Sequence, residues 1–376
     1  MVLACSDKQN TSNQANQTSV IQASNEPTPP PLSMRTADNR PLAKFEPPEN
    51  GRLLFIGNNL EDLGGIEDYK NGYLNHFPTP SGIATNIKIR TGDREFGYLH
   101  GPLSGLSQTA DWGTGPHNMS KYMAEYDLIN CAISLGIDFA GHGSKIMSGY
   151  YDEHLTQLAT WLGGLGERPI FLRIGYEFDN PSSLYVKENF IPAFRYIRDY
   201  IEKTQPGNIA YVWHARGSNL TKEELEQWYP GDDAVDWCGF SYYMPRDLFR
   251  EINFVLAHKK PLMIASSAPV LTPAGNSQRA IMANPEDGLL ARTRWFTPLF
   301  RMMQSYPDVI KAFTYVHSDW QKYGANRYIP QFEQADSRLF INPSVRDTWK
   351  RELARPNYLK PTDDLWHILT KEPGVQ

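Results

Sequence analysis

The sequence predicts a (β/α)8 barrel, one large domain behind a polar N-terminal tether. Three observations predict it. Eight short apolar runs of strand length alternate with helical segments from about residue 50 to residue 317. The runs end in polar and aromatic residues, where barrel enzymes keep their chemistry. No Gly-x-Gly-x-x-Gly follows the first run, so an open dinucleotide-binding sheet lacks its main signature.

Composition sets the outer bounds. The 376 residues are 40% hydrophobic and 21% charged, as expected of a globular chain. The net charge of −5 argues against a nucleic-acid surface. No apolar run reaches the 18 or so residues of a membrane-spanning helix. Nine Trp and twenty Tyr suit stacking on sugars, although large cores also use aromatics. Of the three cysteines, Cys131 and Cys238 sit in apolar runs and read as buried free thiols. No zinc spacing and no disulfide framework is present, and neither a cofactor nor a metal is expected.

Residues 1–45 are rich in Gln, Asn, Ser, Thr and Pro, with a cluster at Pro27–Leu32. Such a stretch buries too little apolar surface to offset its ordering entropy, so it reads as a disordered tether. Its start, Val2–Ser6, resembles the lipobox of bacterial lipoproteins, in which the cysteine, here Cys5, is acylated. The resemblance implies a cell-surface or periplasmic lipoprotein of a bacterium, touching the membrane only through that anchor, and a monomer is expected. The globular domain is expected over 46–376.

The strands follow in order. Arg52–Gly57, Gly82–Ile89 and Cys131–Ala140 are the first three. The fourth starts after Pro169, runs through Ile170, Phe171, Leu172 and Ile174, and breaks off at Tyr176, Glu177 and Asp179. An unbroken apolar run suits a parallel strand covered on both faces. Asn208–His214, Val235–Tyr243, Pro261–Ala265 and Ile310–His317 complete the set. Helices are expected over Met119–Leu128, Tyr151–Leu162, Phe190–Thr204 and Leu220–Trp228, from apolar residues at helical spacing and a capping pattern. Gly163–Gly166 precedes a strand and reads as a turn, and Gly141–Lys145 lacks phosphate-loop spacing.

The strand ends gather a polar and aromatic rim. Candidate substrate-binding residues are Asn59, His142, Tyr176, Asp179, Trp213, His214, Tyr242, Tyr243, His317 and Trp320. Glu177 is the candidate catalytic carboxylate, and a lone carboxylate there is equally a partner for Arg173.

Three stretches resemble glycoside hydrolase family 26 and its close relatives in the retaining (β/α)8 clan, which include β-mannanases and β-1,3-xylanases. Leu172–Asp179 resembles the strand-four motif that carries the acid/base. Tyr229–Tyr243 resembles the family's Tyr-Pro-Gly-Asp turn into strand six, and Lys260–Ser267 resembles strand seven, which ends in the nucleophile. The resemblance covers residues 50–350 and implies that Glu177 is the general acid/base. It sets Ser266 at the nucleophile position and Tyr242 or Tyr243 near the tyrosine that contacts the nucleophile. The chain departs from the pattern twice. Tyr176 stands in place of the usual His, and Ser266 in place of the nucleophilic Glu.

A retaining glycosidase needs two carboxyl groups about 5–5.5 Å apart, one to protonate the leaving oxygen and one to attack the sugar. A serine hydroxyl is un-ionised at neutral pH and cannot replace the second. No Gly-x-Ser-x-Gly supports an esterase role for Ser266. The expectation is therefore a retaining endo-glycosidase of an extracellular polysaccharide, inactive because Ser266 replaces its nucleophile. Two alternatives stay open: a natural carbohydrate-binding pseudoenzyme, and a barrel hydrolase acting on a sulfated glycan such as a fucan.

Overall fold

The computed structural model describes residues 40–48, 50–90, 94–95, 98–99, 101–180, 183–204, 207–217, 220–269, 280–282, 284–323 and 335–370. Eight parallel strands close on themselves. They are β1 (Leu53–Ile56), β2 (Gly82–Lys88), β3 (Ala132–Asp138), β4 (Ile170–Ile174), β5 (Ile209–Ala215), β6 (Trp237–Tyr242), β7 (Leu262–Ser267) and β8 (Ile310–Tyr315). Each strand pairs with its sequence neighbours, and β1 pairs with β8 to seal the barrel. The predicted fold class and all eight predicted strands are present.

Helices fill the connections: α1 (Leu60–Leu63), α2 (Met119–Met123), α3 (Gly143–Met147), α4 (Asp152–Gly163), α5 (Lys187–Thr204), α6 (Lys222–Glu226) and α7 (Phe249–Ala257). Then α8 (Pro285–Leu290) runs through a π-turn over Ala291–Phe296 into α9 (Thr297–Ser305), and α10 (Pro343–Leu353) and α11 (Leu365–Thr370) close the chain. In α5, Phe190, Ala193, Phe194, Ile197 and Ile201 form the buried stripe that the spacing predicts. A reciprocal capping box starts α6, where the Glu224 amide donates to Thr221 Oγ1 at 3.2 Å and the Thr221 amide to Glu224 at 2.7 Å.

Strand alternation divides the core in two. Outward residues such as Ile209, Tyr211 and Trp213 pack under the helices. Inward residues fill the barrel base: Leu53, Phe55, Phe171, Val212, Trp237 and Met263. Phe171 meets Phe55 and Trp237 edge-on, with ring centroids 5.3 and 5.2 Å apart. Higher up, the inward positions turn polar: Phe171 gives way to Arg173, Val212 to His214, and Trp237 to Ser241 through Gly239. A Cβ on Gly239 would sit 3.0 Å from the Ala265 Cβ and 3.3 Å from that of His214, so the glycine lets three strands approach. The apolar base is a rigid footing, and the polar upper layer is the site.

The packed chain begins before the boundary expected at 45/46. Phe45 is buried under the barrel base, 5.9 Å from Phe171. The Trp237 indole donates to the Lys44 carbonyl at 2.8 Å, and Arg40 pairs with buried Glu46 at 2.6 Å. The short segment Arg40–Lys44 before an isolated phenylalanine gave no periodic signal for this plug. Cys131 and Cys238 are buried free thiols, as expected. The tether and Cys5 lie outside the described residues.

Candidate active site

Glu177 follows the C-terminal end of β4 in a left-handed backbone conformation, φ 50°. A non-glycine residue holds that conformation only when its surroundings fix it, and such strain concentrates at functional sites. Here the Glu177 amide donates to the His214 carbonyl at 2.8 Å. Its carboxylate accepts a hydrogen bond from the Ser241 hydroxyl. Burial pushes the carboxyl above its ordinary value, while the Ser241 hydrogen bond and nearby Arg216 pull it down.

Behind Ser241 stands a relay of donors. His214 Nε2 lies 3.0 Å from Ser241 Oγ, and Arg173 Nη1 lies 3.5 Å from His214 Nδ1. Arginine can only donate, so Nδ1 is the acceptor and the ring proton sits on Nε2. Burial and Arg173 both hold the imidazole well below its usual range, so it stays neutral. Each group donates to the next, from Arg173 through His214 and Ser241 to Glu177. The direction of donation rules out a serine–histidine nucleophile at Ser241, because Nε2 has no lone pair to take the proton. Arg173 is itself fixed by the Asn86 side chain at 2.9 Å and the Thr85 carbonyl at 3.1 Å.

Across the mouth, β7 ends in Ser266 and Ser267. Tyr243, just past β6, places its hydroxyl 2.6 Å from Ser266 Oγ. Burial comes first, and the charge of Glu177 second, in pushing the Tyr243 phenol up. Tyr243 thus lies within electrostatic reach of Glu177 and in contact with Ser266. Ser267 turns away and donates to the Thr314 carbonyl at 2.6 Å. Trp320 stands 6.4 Å from the Tyr243 ring. Tyr176 lies beside His214, with Arg173 over its face at 5.5 Å.

Two other rim carboxylates are committed. Asp179 accepts from the Arg216 and Gly217 amides at 2.5 and 2.7 Å, which ties the loop after β5 to the loop after β4. Asp138 is clamped by Lys88 at 2.9 Å and Arg90 at 3.0 Å, and the two cations hold it well below the usual carboxylate range against burial.

Five sequence candidates do not reach this mouth. Trp213 points outward from β5, fully buried among Phe178, Tyr229 and Phe254, and donates to the Trp228 carbonyl at 3.0 Å. Tyr242 likewise faces outward, against Trp295. His142 turns into the helix layer, with Nδ1 2.5 Å from the Tyr151 hydroxyl. Asn59 is buried as the N-cap of α1, accepting from the Asp62 amide at 2.9 Å and donating to the Thr114 carbonyl at 2.8 Å. His317 packs among Tyr73, Phe77 and Phe340, outside the barrel. The sequence reading missed the relay through Arg173 and Ser241. Its signal was a charged residue at an inward position of an otherwise apolar strand.

A closed parallel barrel with a carboxylate after its fourth strand has the fold of the (β/α)8 glycosidases. Comparison with known proteins carries the resemblance further. Over 335 residues the chain is 28% identical to a β-1,3-xylanase of a Vibrio species, covering 85% of this chain and 68% of that protein. It is also 28% identical over 337 residues to a β-1,3-xylanase of an Alcaligenes species, covering 85% and 67%. In fold it is similar to a GH26 β-mannanase from Bacteroides ovatus, with a TM-score of 0.57 and 16% identity over 92% of this chain and 97% of that one. A GH26 structure from a Muricauda species gives 0.56 and 13%, over 84% and 90%. No protein-family profile matches the chain.

Proposed function

We propose that the chain is a retaining endo-glycosidase barrel for a β-1,3-linked xylan, with one of its two catalytic carboxyl groups absent. Glu177 is the acid/base. Ser266 occupies the nucleophile position and Tyr243 is the nucleophile's hydrogen-bond partner. The observation that carries this reading is the Tyr243–Ser266 contact at the tip of β7, within the field of Glu177. The two β-1,3-xylanase relatives favour that substrate over mannan.

In a double displacement the nucleophile's carboxylate attacks the anomeric carbon while the acid protonates the departing oxygen. Water then attacks the glycosyl-enzyme, and the acid residue takes its proton. Ser266 has no charge to stabilise the developing oxocarbenium ion, and its one described polar partner, Tyr243, is a phenol raised far above neutral pH. Asp138 and Asp179 are held by other partners and do not substitute. The chain therefore binds xylan and does not cleave it.

The intact relay behind Glu177 favours an enzyme missing one group over a long-idle binding protein. A sulfated substrate has weaker support. Arg246 is paired with Glu251 at 2.7 Å, and Arg173 is spent inside the barrel. The lipobox-like start supports a surface-tethered, extracytoplasmic setting. No helix among the described residues is long and apolar enough to cross a membrane.

The test is Ser266→Glu, assayed for reducing ends on β-1,3-xylan and β-1,4-mannan, with Ser266→Glu/Glu177→Gln as control. Activity on β-1,3-xylan that vanishes in the control supports the reading. Activity on neither, with oligosaccharide binding intact, returns the chain to the pseudoenzymes.

A further inference from the structure

The hydroxyl that bonds Glu177 comes from an irregular point of its strand. The pairing of β6 with β7 slips between Phe240 and Ser241, so the ladder alone does not aim the Ser241 side chain. A second support comes from behind. Arg246, in the loop after β6, donates from Nη2 to the Ser241 carbonyl at 3.1 Å and to the Arg216 carbonyl at 3.4 Å. One guanidinium thus holds both the residue that bonds Glu177 and the residue whose charge acts on it.

Arg246 is held in turn by Glu251, in the first turn of α7. The Glu251 side chain is buried, and its Oε1 accepts from Arg246 Nη1 at 2.7 Å. The same oxygen accepts from Arg250 Nη2 at 3.3 Å, and Arg250 also reaches the carbonyls of Gly217, at 3.0 Å, and Leu220. One buried carboxylate oxygen therefore gathers two arginines, and these grip the carbonyl groups of the loop after β5 and of the end of β6.

The amide groups of the β5 loop are gripped from the other side. Asp179, two residues after Glu177, takes the Arg216 and Gly217 N–H groups. The loop is thus fixed between the acid's own loop and α7. Gly217 makes the fit possible. Its φ is 78°, and a Cβ there would lie 2.8 Å from the Phe240 ring and 3.2 Å from Glu251 Oε1. Beyond burial and the Ser241 hydrogen bond, the charges that act on Glu177 are Arg216, Asp179 and Arg173, with Tyr243 and neutral His214 beside it. Glu251 is not among them, so its route to Glu177 runs through the arginines.

We propose that Glu251 is a positioning residue for the acid: through Arg246 and Arg250 it holds the Ser241 backbone and the loop after β5, which keeps the Ser241 hydroxyl and Arg216 on Glu177. The acid role of Glu177 rests on the glycosidase reading above, whereas the grip on Ser241 and Arg216 rests on the contacts themselves.

The experiment is carbon-13 titration of Glu177 in the full chain and in Glu251→Ala, Glu251→Gln and Arg246→Lys, with a thermal melt of each. Charge alone and positioning predict opposite signs. Removing a negative charge lowers the Glu177 pKa, while loss of the Ser241 hydrogen bond raises it. The expected result is a higher pKa in Glu251→Ala and in Arg246→Lys, whose single ammonium lacks the fork that spans Glu251 and two carbonyls. Glu251→Gln keeps an acceptor at Oε1 and falls between Glu251→Ala and the parent. In the Ser266→Glu background the same variants lose kcat about tenfold or more with KM unchanged, as misplacement of a reacting group does. A lowered pKa in Glu251→Ala, or one that stays put in the folded variants, overturns the proposal. Where Glu251→Ala does not fold, Arg246→Lys and Glu251→Gln decide by the same sign. The expected shifts with an inactive Ser266→Glu protein support the positioning and sink the glycosidase reading. Unmoved pKa values with an active Ser266→Glu protein do the reverse.

Discussion

The hydroxyl of Tyr243 lies 2.6 Å from that of Ser266, which joins the tip of β6 to the tip of β7. Either hydroxyl can donate in that pair, and the phenol would donate to a carboxylate set at 266. Tyr243 itself lies within the field of Glu177. On the proposed reading the residue at 266 stands where a nucleophile would, and a serine hydroxyl cannot act as one.

Ser266→Glu should therefore gain hydrolysis of β-1,3-xylan with retention of anomeric configuration. Loss of one member of a catalytic pair costs on the order of 10³-fold or more in rate, so the recovered signal should be of that size. The added carboxylate also opposes ionisation of Glu177, keeping the acid protonated to higher pH. Reducing-end assays and product NMR check both. Equal rates with Ser266 and with Glu at that position would show that the nucleophile lies elsewhere.

Ser241→Ala removes the hydrogen bond that favours the ionised form of Glu177. The Glu177 pKa, already raised by burial, should rise further. In the Ser266→Glu background the alkaline limb of the pH–rate profile then moves to higher pH. Carbon-13 titration of Glu177 in the parent chain gives the same answer without turnover. An unmoved or lowered pKa would mean that the relay from Arg173 does not tune this carboxyl.

Much of this was legible in the sequence, and the illegible part has physical causes. Strands show as apolar runs, so the barrel and its rim could be read off. Yet β5 and β6 are apolar on both faces, and their periodicity does not say which of two adjacent residues points in. Trp213 and His214 were both candidates, as were Tyr242 and Tyr243. In each pair the structure sends the first outward and the second to the mouth. A bulge between Phe240/Ser241 and the facing β7 residues shifts the register where the site begins. Between β7 and β8 no helix was predicted, and there the π-turn between α8 and α9 breaks the 3.6-residue period.

Trp213 and Trp320 should now separate cleanly. Trp213→Ala empties a buried aromatic cluster and should cost about 3–5 kcal/mol of stability. Trp320→Ala, beside Tyr243, should weaken xylo-oligosaccharide binding about tenfold or more, as expected of an aromatic hot spot. Thermal melts and calorimetry on both variants decide it. Weakened binding in a fully folded Trp213→Ala protein would contradict its placement.

The plug under the barrel makes a prediction about the N-terminus. Truncation before Arg40 should leave the melting temperature unchanged. Phe45→Ala should cost about 3 kcal/mol through the void left against Phe171. A melt unaffected by Phe45→Ala would show that the base closes without the plug.

Asp62 supplies a pH test with a definite sign. It is buried on α1, and burial pushes its carboxyl up to about 8 from an ordinary 3.8. Donors from Asn58 at 3.2 Å and Asn59 at 2.9 Å pull it back down, and burial outweighs them. The single phenol proton of Tyr323 lies between Glu61 at 2.9 Å and Asp62 at 3.2 Å, and can serve only one of them. Glu61 is already charged against Lys322, so the phenol donates there and Asp62 keeps its own proton. Between pH 4 and 8 the folded chain then holds a proton that the unfolded chain has released. Stability from this group is complete below pH 4, falls as pH rises, and levels off above 8. Asp62→Asn, neutral at every pH, removes that slope, so the difference in stability between variant and parent should grow in the variant's favour from pH 4 to 8. Denaturant melts at four or five pH values measure it. A difference that stays flat over that range, with both proteins folded, would mean that Asp62 is ionised in the native state.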